Sequence, residues 1–365
     1  MTRRQLWQRL TAHIDWPLLL GISLLMLASL VILYSAGEGN WSRVLGQGRN
    51  ILMALVCMWA VANLPLHYLM RTAVPIYLLG MVLLIGVALF GEVSHGARRW
   101  LNLGITTIQP SELMKIGVPL MMSWYFEKHE ATLTLKNYFV ATLLLLVPMA
   151  LIARQPDLGT AILISASGFY VLFLAGLSWR VMGVMFVAAL ASAPLLWSML
   201  HDYQRHRILM LFDPSQDALG KGYHTIQGMI AVGSGGLFGK GYLQGTQTHL
   251  DFLPERTTDF IFAVYSEEFG LLGNIIILLF YLLVIGRGFI ITANASTYFT
   301  RLMAGSITLT FTTYAFVNMG MVTGILPVVG VPLPLVSYGG TSMLTLLLGF
   351  GMLMSIETHK KLVKT

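Results

Sequence analysis

The densest run of polar chemistry in this 365-residue chain is Leu253-Pro-Glu-Arg-Thr-Thr-Asp-Phe-Ile-Phe-Ala263, where Glu255, Thr257, Thr258 and Asp259 crowd together just before an apolar stretch. An ionisable side chain at the edge of a bilayer is costly to desolvate, so it marks a functional site by default. Asp259 can be the N-terminal cap of the next helix, which needs only one acceptor oxygen, or a carboxylate kept for a metal or a proton. The crowding favours chemistry over a lone cap. Two other segments repeat the pattern. Gln109-Pro-Ser-Glu-Leu-Met-Lys115 opens an apolar run with Ser111 as a cap, and Glu112 and Lys115 stand three residues apart, close enough on a helix to pair. Arg154-Gln-Pro-Asp-Leu-Gly-Thr160 turns at Pro156 and places Asp157 either as a cap or as a second site carboxylate. Gly96-Ala-Arg-Arg-Trp-Leu-Asn-Leu-Gly104 reads as a hairpin that carries Arg99.

The elements that must position these residues are membrane helices. The chain is 56% hydrophobic and only 11% charged, with a mean hydropathy of +0.72, against roughly 25% charged residues in soluble domains. Apolar stretches near the length that crosses about 30 Å of hydrocarbon lie at 17–35, 47–64, 73–91, 111–127, 137–153, 159–177, 180–200, 259–286, 303–325 and 336–356. The expectation is an all-α polytopic membrane protein of about ten spans, forming one domain over 1–365, with a long extracytoplasmic loop at about 201–258 between spans seven and eight. Lys115 and Pro119 make the fourth span the weakest. With both termini on one side, that side holds twelve Lys and Arg against six on the other once the long loop is set aside, so the termini are expected in the cytoplasm. No small-residue cleavage site follows the first apolar run, which reads as a retained helix.

Several classes drop out. The net charge of +7 is scattered over loops without an aromatic platform, which fits an anionic lipid or lipid-linked substrate better than nucleic acid. Cys57 is the only cysteine and has no disulfide partner. Val232-Gly-Ser-Gly-Gly-Leu-Phe-Gly-Lys-Gly241 fails as a Walker loop, because Gly241 follows Lys240, and as a dinucleotide fingerprint, because Phe238 holds the third glycine position. It remains either a flexible backbone that brings Lys240 to a phosphate or a solvated turn. Glu267 and Glu268, two turns into the eighth span, imply a polar cavity beneath Asp259. Ile325–Gly340, with three prolines, reads as irregular backbone walling the outer site.

Four strings, Gln109–Lys115, Gln155–Thr160, Leu253–Ala263 and Pro332-Leu-Pro-Leu-Val-Ser-Tyr-Gly-Gly340, taken in order over nearly the whole chain, resemble those of the SEDS family (shape, elongation, division and sporulation). Tyr203-Gln-Arg-His-Arg-Ile208 and the short N-terminal segment are similar to the elongation branch rather than the division branch. The resemblance implies a peptidoglycan glycosyltransferase of the bacterial inner membrane. It would polymerise lipid II, the undecaprenyl-pyrophosphate-linked disaccharide pentapeptide, on the outer face for cell elongation and rod shape. It implies Asp259 as the essential aspartate, fitted to act as general base. Arg99, Lys115, Arg207 and Lys240 are the cations expected to bind the departing pyrophosphate, with Glu112, Asp157 and Glu255 completing the substrate site. It implies at most a divalent cation, magnesium or manganese, no organic cofactor, and as partners a class B penicillin-binding transpeptidase and other elongation proteins. Competing readings are a lipid II flippase, whose site would lie near the bilayer midplane between repeats, and a non-catalytic scaffold of the cell-wall machinery.

Overall fold

Apolar sequence in a water-free environment must satisfy its backbone internally, and the helix does so within one segment. Each of the ten apolar stretches accordingly coincides with a helix. The computed structural model describes residues 8, 11–94, 97–102, 107–155, 157–199, 205, 209, 221–249 and 255–359. In chain order the helices are α1 (Trp16–Ala36), α2 (Trp41–Ala62), α3 (Leu66–Phe90), α4 (Pro110–Lys128), α5 (Leu135–Ala153), α6 (Leu158–Leu174), α7 (Trp179–Met199), α8 (Lys221–Ser234), the short α9 (Thr246–His249), α10 (Ile261–Ala293), α11 (Tyr298–Val322) and α12 (Gly340–Thr358). Among the described residues, α1, α2, α3, α5, α10 and α12 are each long and apolar enough to cross a membrane. This is a multi-pass helical membrane protein.

Local signals set the helix starts. Asp15 caps α1 by accepting from Leu18 N at 2.9 Å, Asn40 accepts from Ser42 N at 2.9 Å, and Thr297 caps α11 through Thr300 N at 3.2 Å, each satisfying a donor that the first helical turn leaves unpaired. Between α3 and α4 the chain forms a meander of β1 (Glu92–Ser94), β2 (Ala97–Asn102) and β3 (Thr107–Ile108), with β2 antiparallel to both neighbours. The described part of the expected hairpin, Ala97–Asn102, is therefore the central strand of three rather than a hairpin of its own. The expected loop at 201–258 carries α8 and α9 among its described residues.

One buried cluster joins α1, α2, α10, α11 and α12, and a second joins α3, α4, α5 and α6. Small residues let the helices approach closely, as in membrane bundles generally: a Cβ on Gly351 of α12 would stand 2.5 Å from Met58 O of α2, and one on Gly288 of α10 would meet Thr308 Oγ1 of α11 at 2.5 Å. At one end Arg287 of α10 clasps Asp15 at 2.6 Å and Glu357 at 3.1 Å, and His13 stacks on His359 with ring centroids 4.0 Å apart. The two ends of the described chain thus meet on one side of the bundle.

The eighth expected span departs from a plain helix. Gly270 adopts φ +64° and ψ −159° inside α10, in the left-handed half of backbone space that glycine enters freely. Tyr265 Oη donates to Gly273 O at 2.8 Å and Ser266 Oγ to Asn274 Oδ1 at 3.0 Å. Residues eight apart on a straight helix are about 12 Å apart along the axis, so the axis bends sharply at Gly270. The bend strips backbone groups of their helical partners, and the glycine-rich run after α8 replaces them. Lys240 N and Gly241 N donate to Glu267 O and Glu268 O at 3.0 and 3.1 Å, while Leu271 N and Leu272 N donate to Gly236 O and Leu237 O at 2.9 and 3.1 Å. Val232–Ser234 close α8, and Gly235–Gly241 is thus a backbone clip rather than a solvated turn.

Gly236, at φ +56° with open space around its Cα, and Gly239, at φ +78° with a Cβ position 2.0 Å from Glu268 O, separate strain from contact. Gly236→Ala should lower unfolding stability by about 1–2 kcal/mol, the cost of the left-handed backbone alone. Gly239→Ala and Gly270→Ala should lose distinctly more, read as thermal unfolding of purified protein in detergent. Equal losses at all three positions would show that the clip is not closely packed.

Candidate functional site

Asp259 lies in a turn closed by Thr258 N and Phe260 N, which both donate to Glu255 O at 3.1 Å. A turn at this depth exposes carbonyls that no helix satisfies, and three consecutive ones are each taken by a different donor. Tyr338 N donates to Thr257 O at 2.9 Å, Ser337 Oγ to Thr258 O at 2.6 Å, and Asn318 Nδ2 to Asp259 O at 2.8 Å. Asn318 also donates to Val331 O at 2.6 Å. Beside the carboxylate sits Gly330, whose Cβ position would be 3.4 Å from Asp259 Oδ2, an ordinary contact, and whose φ of +72° is the conformation that favours glycine.

The segment that grips this turn is irregular, as expected of Ile325–Gly340, and it is buried: Val331, Leu333, Leu335 and Val336 are each 3% exposed or less. Leu335 holds φ +64°, a strained state that persists only where its surroundings over-determine it. Those surroundings are polar side chains from four helices. Ser29 of α1 donates to Val336 O at 2.7 Å, Gln47 of α2 to Ser337 O at 3.1 Å, Tyr281 of α10 to Pro334 O at 2.6 Å, and Asn318 of α11 to Val331 O.

The other expected site residues fall into groups. Glu112 and Lys115 pair at 2.5 Å, and the ammonium lies 5.1 Å from the centre of the Tyr314 ring. They line a narrow, partly open pocket between α4, α11 and α12, which Thr310, Ser306 and Thr345 also face. Among the described residues, Glu112 Oε2 and Thr310 Oγ1 have no hydrogen-bond partner. Asp157 caps α6 through Thr160 N at 3.3 Å and accepts from Gln109 at 3.4 Å, joining the Gln155–Thr160 and Gln109–Lys115 strings. Two residues further on, a Cβ on Gly159 would stand 2.7 Å from Val329 O, which sets this junction against the chain next to Gly330. Tyr314 lies one turn before Asn318 on α11. Glu112, Lys115 and Asp157 are thereby connected to the Asp259 turn through α11 and Val329–Gly330.

Glu255 is exposed and accepts from Thr258 Oγ1 at 2.7 Å within the turn itself. Lys240 is elsewhere. Its ammonium pairs at 2.6 Å with Glu267, whose same Oε1 also accepts from Thr246 N, Thr246 Oγ1 and Gln247 N at 2.9, 3.0 and 3.1 Å. Glu267 is fully buried and Glu268 is 1% exposed, with the Ser35 hydroxyl donating to Glu268. In place of the polar cavity expected beneath Asp259, these glutamates have a packed ion pair and hydrogen bonds at the α10 bend. Glu267 is eight residues beyond Asp259, so Lys240 is held at the opposite end of the short helix from it. Arg99 is placed on β2 by its backbone, but its side chain and the whole of Arg207 lie outside the described residues.

Two cations missed by sequence reasoning adjoin the turn. Arg256 pairs with Glu38 at 2.7 Å, and Arg43 Nη1 reaches Thr257 Oγ1 at 3.5 Å. Arg256 could have been found, since it sits inside the Leu253–Ala263 string; Arg43 carries no signal beyond its place at the start of α2. Asn318 had one, being a lone amide in an apolar span. Among the described residues no group of three or more His, Cys, Asp or Glu gathers to hold a metal.

A fold of packed helices around a clamped aspartate turn has close counterparts. The chain matches the FtsW/RodA/SpoVE family, described as cell cycle proteins, over residues 10–362, and it belongs to that family. The peptidoglycan glycosyltransferase MrdB of Escherichia coli is 50% identical over 99% of this chain and 97% of its own length. The protein of that name from Helicobacter pylori is 36% identical over 95% of this chain and 90% of its own. Among solved structures, a chain from work on the structural coordination of polymerization and crosslinking by a peptidoglycan synthase complex is 30% identical, with a TM-score of 0.81, covering 94% of this chain and 97% of that one. The Thermus thermophilus rod shape determining protein RodA is 28% identical with a TM-score of 0.71, covering 94% of this chain and 96% of its own.

Removing one partner of a buried ion pair strands the other charge, at about 3–5 kcal/mol. Lys240→Met should therefore destabilise the protein strongly, and Lys240→Met with Glu267→Gln should recover much of the loss in a thermal unfolding series. A double variant no more stable than the single would show that the ammonium does not serve Glu267.

Proposed function

We propose that this chain is a peptidoglycan glycosyltransferase that polymerises lipid II into glycan strands for cell elongation and rod shape. The observation that carries the reading is a likeness along the whole chain to proteins of that activity, combined with a carboxylate, Asp259, held by its own backbone at the centre of the polar residues.

In the reaction the hydroxyl of one sugar attacks the anomeric carbon of the lipid-linked donor. The new carbon–oxygen bond forms as the bond to the pyrophosphate oxygen breaks, and that electron pair leaves on the diphosphate. Asp259 accepts the hydroxyl proton, a general-base role worth about 10²- to 10⁴-fold. Direct displacement inverts the anomeric centre and needs no covalent intermediate, so one carboxylate suffices. Arg256 and Arg43, beside the turn, are placed to meet the developing negative charge, and Lys115 with Glu112 forms the polar wall on the α4 side. Lys240 serves the α10 bend. A divalent cation, magnesium or manganese, would be held by Asp259 with the substrate's own phosphates, since magnesium is commonly held by one or two carboxylates plus substrate phosphates. When bound it would neutralise leaving-group charge.

The chain lies in the bacterial inner membrane with ten spans. Both termini are cytoplasmic, supported by the His13–His359 stack at one end and by the excess of basic residues there, and Asp259 works at the outer face. Its partners are a class B penicillin-binding transpeptidase, whose cross-linking would act on the strands made here, and other elongation proteins.

Purified protein with its transpeptidase partner should polymerise lipid II, and Asp259→Asn, which keeps size but takes no proton, should lose about 10²- to 10⁴-fold of the rate. Equal polymerisation by both would remove Asp259 from the chemistry. No polymer from either, together with lipid II crossing in vesicles, would favour the flippase.

A further inference from the structure

We infer that Asn318 and Ser337 are positioning residues for Asp259, acting through the backbone carbonyls on either side of its Cα. The inference rests on the glycosyltransferase reading and adds the residues that aim its base.

Asp259 is half-buried in a turn outside regular helix, so no helical ladder fixes its main chain. The peptide units before and after its Cα determine where the carboxylate points. The unit before it ends in Thr258 O, which takes Ser337 Oγ at 2.6 Å, and the unit after it begins with Asp259 O, which takes Asn318 Nδ2 at 2.8 Å. Both peptide planes flanking the catalytic Cα are thus pinned by side chains from other parts of the fold.

Neither side chain is explained by packing alone. Asn318 is fully buried in α11, where a leucine of like size would be the favoured occupant of an apolar interior. Its Oδ1 has no hydrogen-bond partner among the described residues, a cost of about 1–3 kcal/mol for a buried polar atom. What the amide supplies is two donor bonds, to Asp259 O and to Val331 O at 2.6 Å, so it fastens the catalytic turn to the wall beside Gly330. Ser337 acts as a relay: Leu333 N donates to its Oγ at 2.7 Å while that hydroxyl donates to Thr258 O. The strained Leu335 between them is held by the same bonds. A misplacement of about 1 Å in a reacting group can cost on the order of 100-fold in rate, so loosening either peptide plane should act on turnover.

The test uses the full-length protein with its transpeptidase partner in nanodiscs, fed with lipid II, in the variants Asn318→Leu, Ser337→Ala and Ser337→Thr. Expected is a fall in kcat of about 10- to 100-fold for Asn318→Leu and Ser337→Ala with KM changed less than about 3-fold, and recovery toward wild type in Ser337→Thr, which retains the hydroxyl. Hydrogen–deuterium exchange should rise within residues 255–260 and remain unchanged at the Asp15–Arg287 clasp. Wild-type kcat in both loss variants, a loss confined to KM, or equal damage in Ser337→Thr and Ser337→Ala would overturn the inference. If Asn318→Leu does not fold, the Ser337 pair decides. If wild type makes no polymer, the glycosyltransferase reading fails, and the clamp is judged on exchange alone: faster exchange confined to 255–260 sustains it, and unchanged exchange there sinks it.

Discussion

A backbone carbonyl buried away from water must find a donor, and in this protein the need is greatest where the chain leaves helical structure inside the bundle. Thr257, Thr258 and Asp259 present three such carbonyls in succession, met by Tyr338 N, Ser337 Oγ and Asn318 Nδ2. Much of the central architecture serves that requirement. The donors come from Pro332–Gly340 and α11, and the first of these is irregular itself. It therefore needs its own partners, which α1, α2 and α10 supply through Ser29, Gln47 and Tyr281. Satisfaction is passed outward from the aspartate turn until it reaches side chains on regular helices.

The same rule shapes the bend in α10. A glycine at φ +64° lets the helix turn, but it frees two carbonyls and two amides, and the clip from Gly235 to Gly241 returns a partner to each. Close approach is why the clip is rich in glycine: Cβ atoms at Gly235 and Gly239 would fall 2.1 and 2.0 Å from the carbonyls of Ser266 and Glu268. Glu267, buried at the bend, could not remain charged there alone. Lys240, on the clip, reaches it together with the amides of α9. The clip thus supplies both backbone bonds and a counter-charge at one point.

These two places also mark where the sequence could be read and where it could not. Hydropathy marks a helix at each of the ten apolar stretches, since about twenty apolar residues have few alternatives in a membrane, whereas Asp157 reads equally as a cap or a site carboxylate from its place after Pro156, and Asp15 carries no signal beyond its place before α1. The bend at Gly270 leaves no mark because a single glycine inside an otherwise helix-forming run is tolerated in a straight helix as well. The glycine run was ambiguous for a physical reason. A backbone that cradles a phosphate and one that clasps another backbone both require missing side chains, so composition alone does not separate them. The Lys240–Glu267 pair joins residues 27 apart across a fold that sequence spacing does not encode. Arg256 was inside a recognised string and was passed over because its neighbour Asp259 drew the chemistry. Asn318 was visible as an amide in an apolar span, but its partner lay 59 positions away.

One carboxylate with so elaborate a support is what the proposed reaction demands. An inverting displacement uses a single base and stores no covalent intermediate, so rate depends on how well that base is aimed and how well charge on the leaving group is met. A soluble enzyme can build such a site on loops stabilised by water. Within a bundle of membrane helices the loops must be satisfied by the protein, and every polar group added for that purpose must in turn be buried and bonded. That reasoning accounts for the separation seen here. Lys240, Glu267, Asn318, Ser337 and Gln47 are spent on internal bonds, whereas Glu255, Arg256 and Arg43 adjoin the turn itself and Glu112 and Lys115 face a pocket. The division between groups that hold the backbone and groups that face open space follows from the cost of burying polarity, and it leaves Asp259 as the point where the two sets meet.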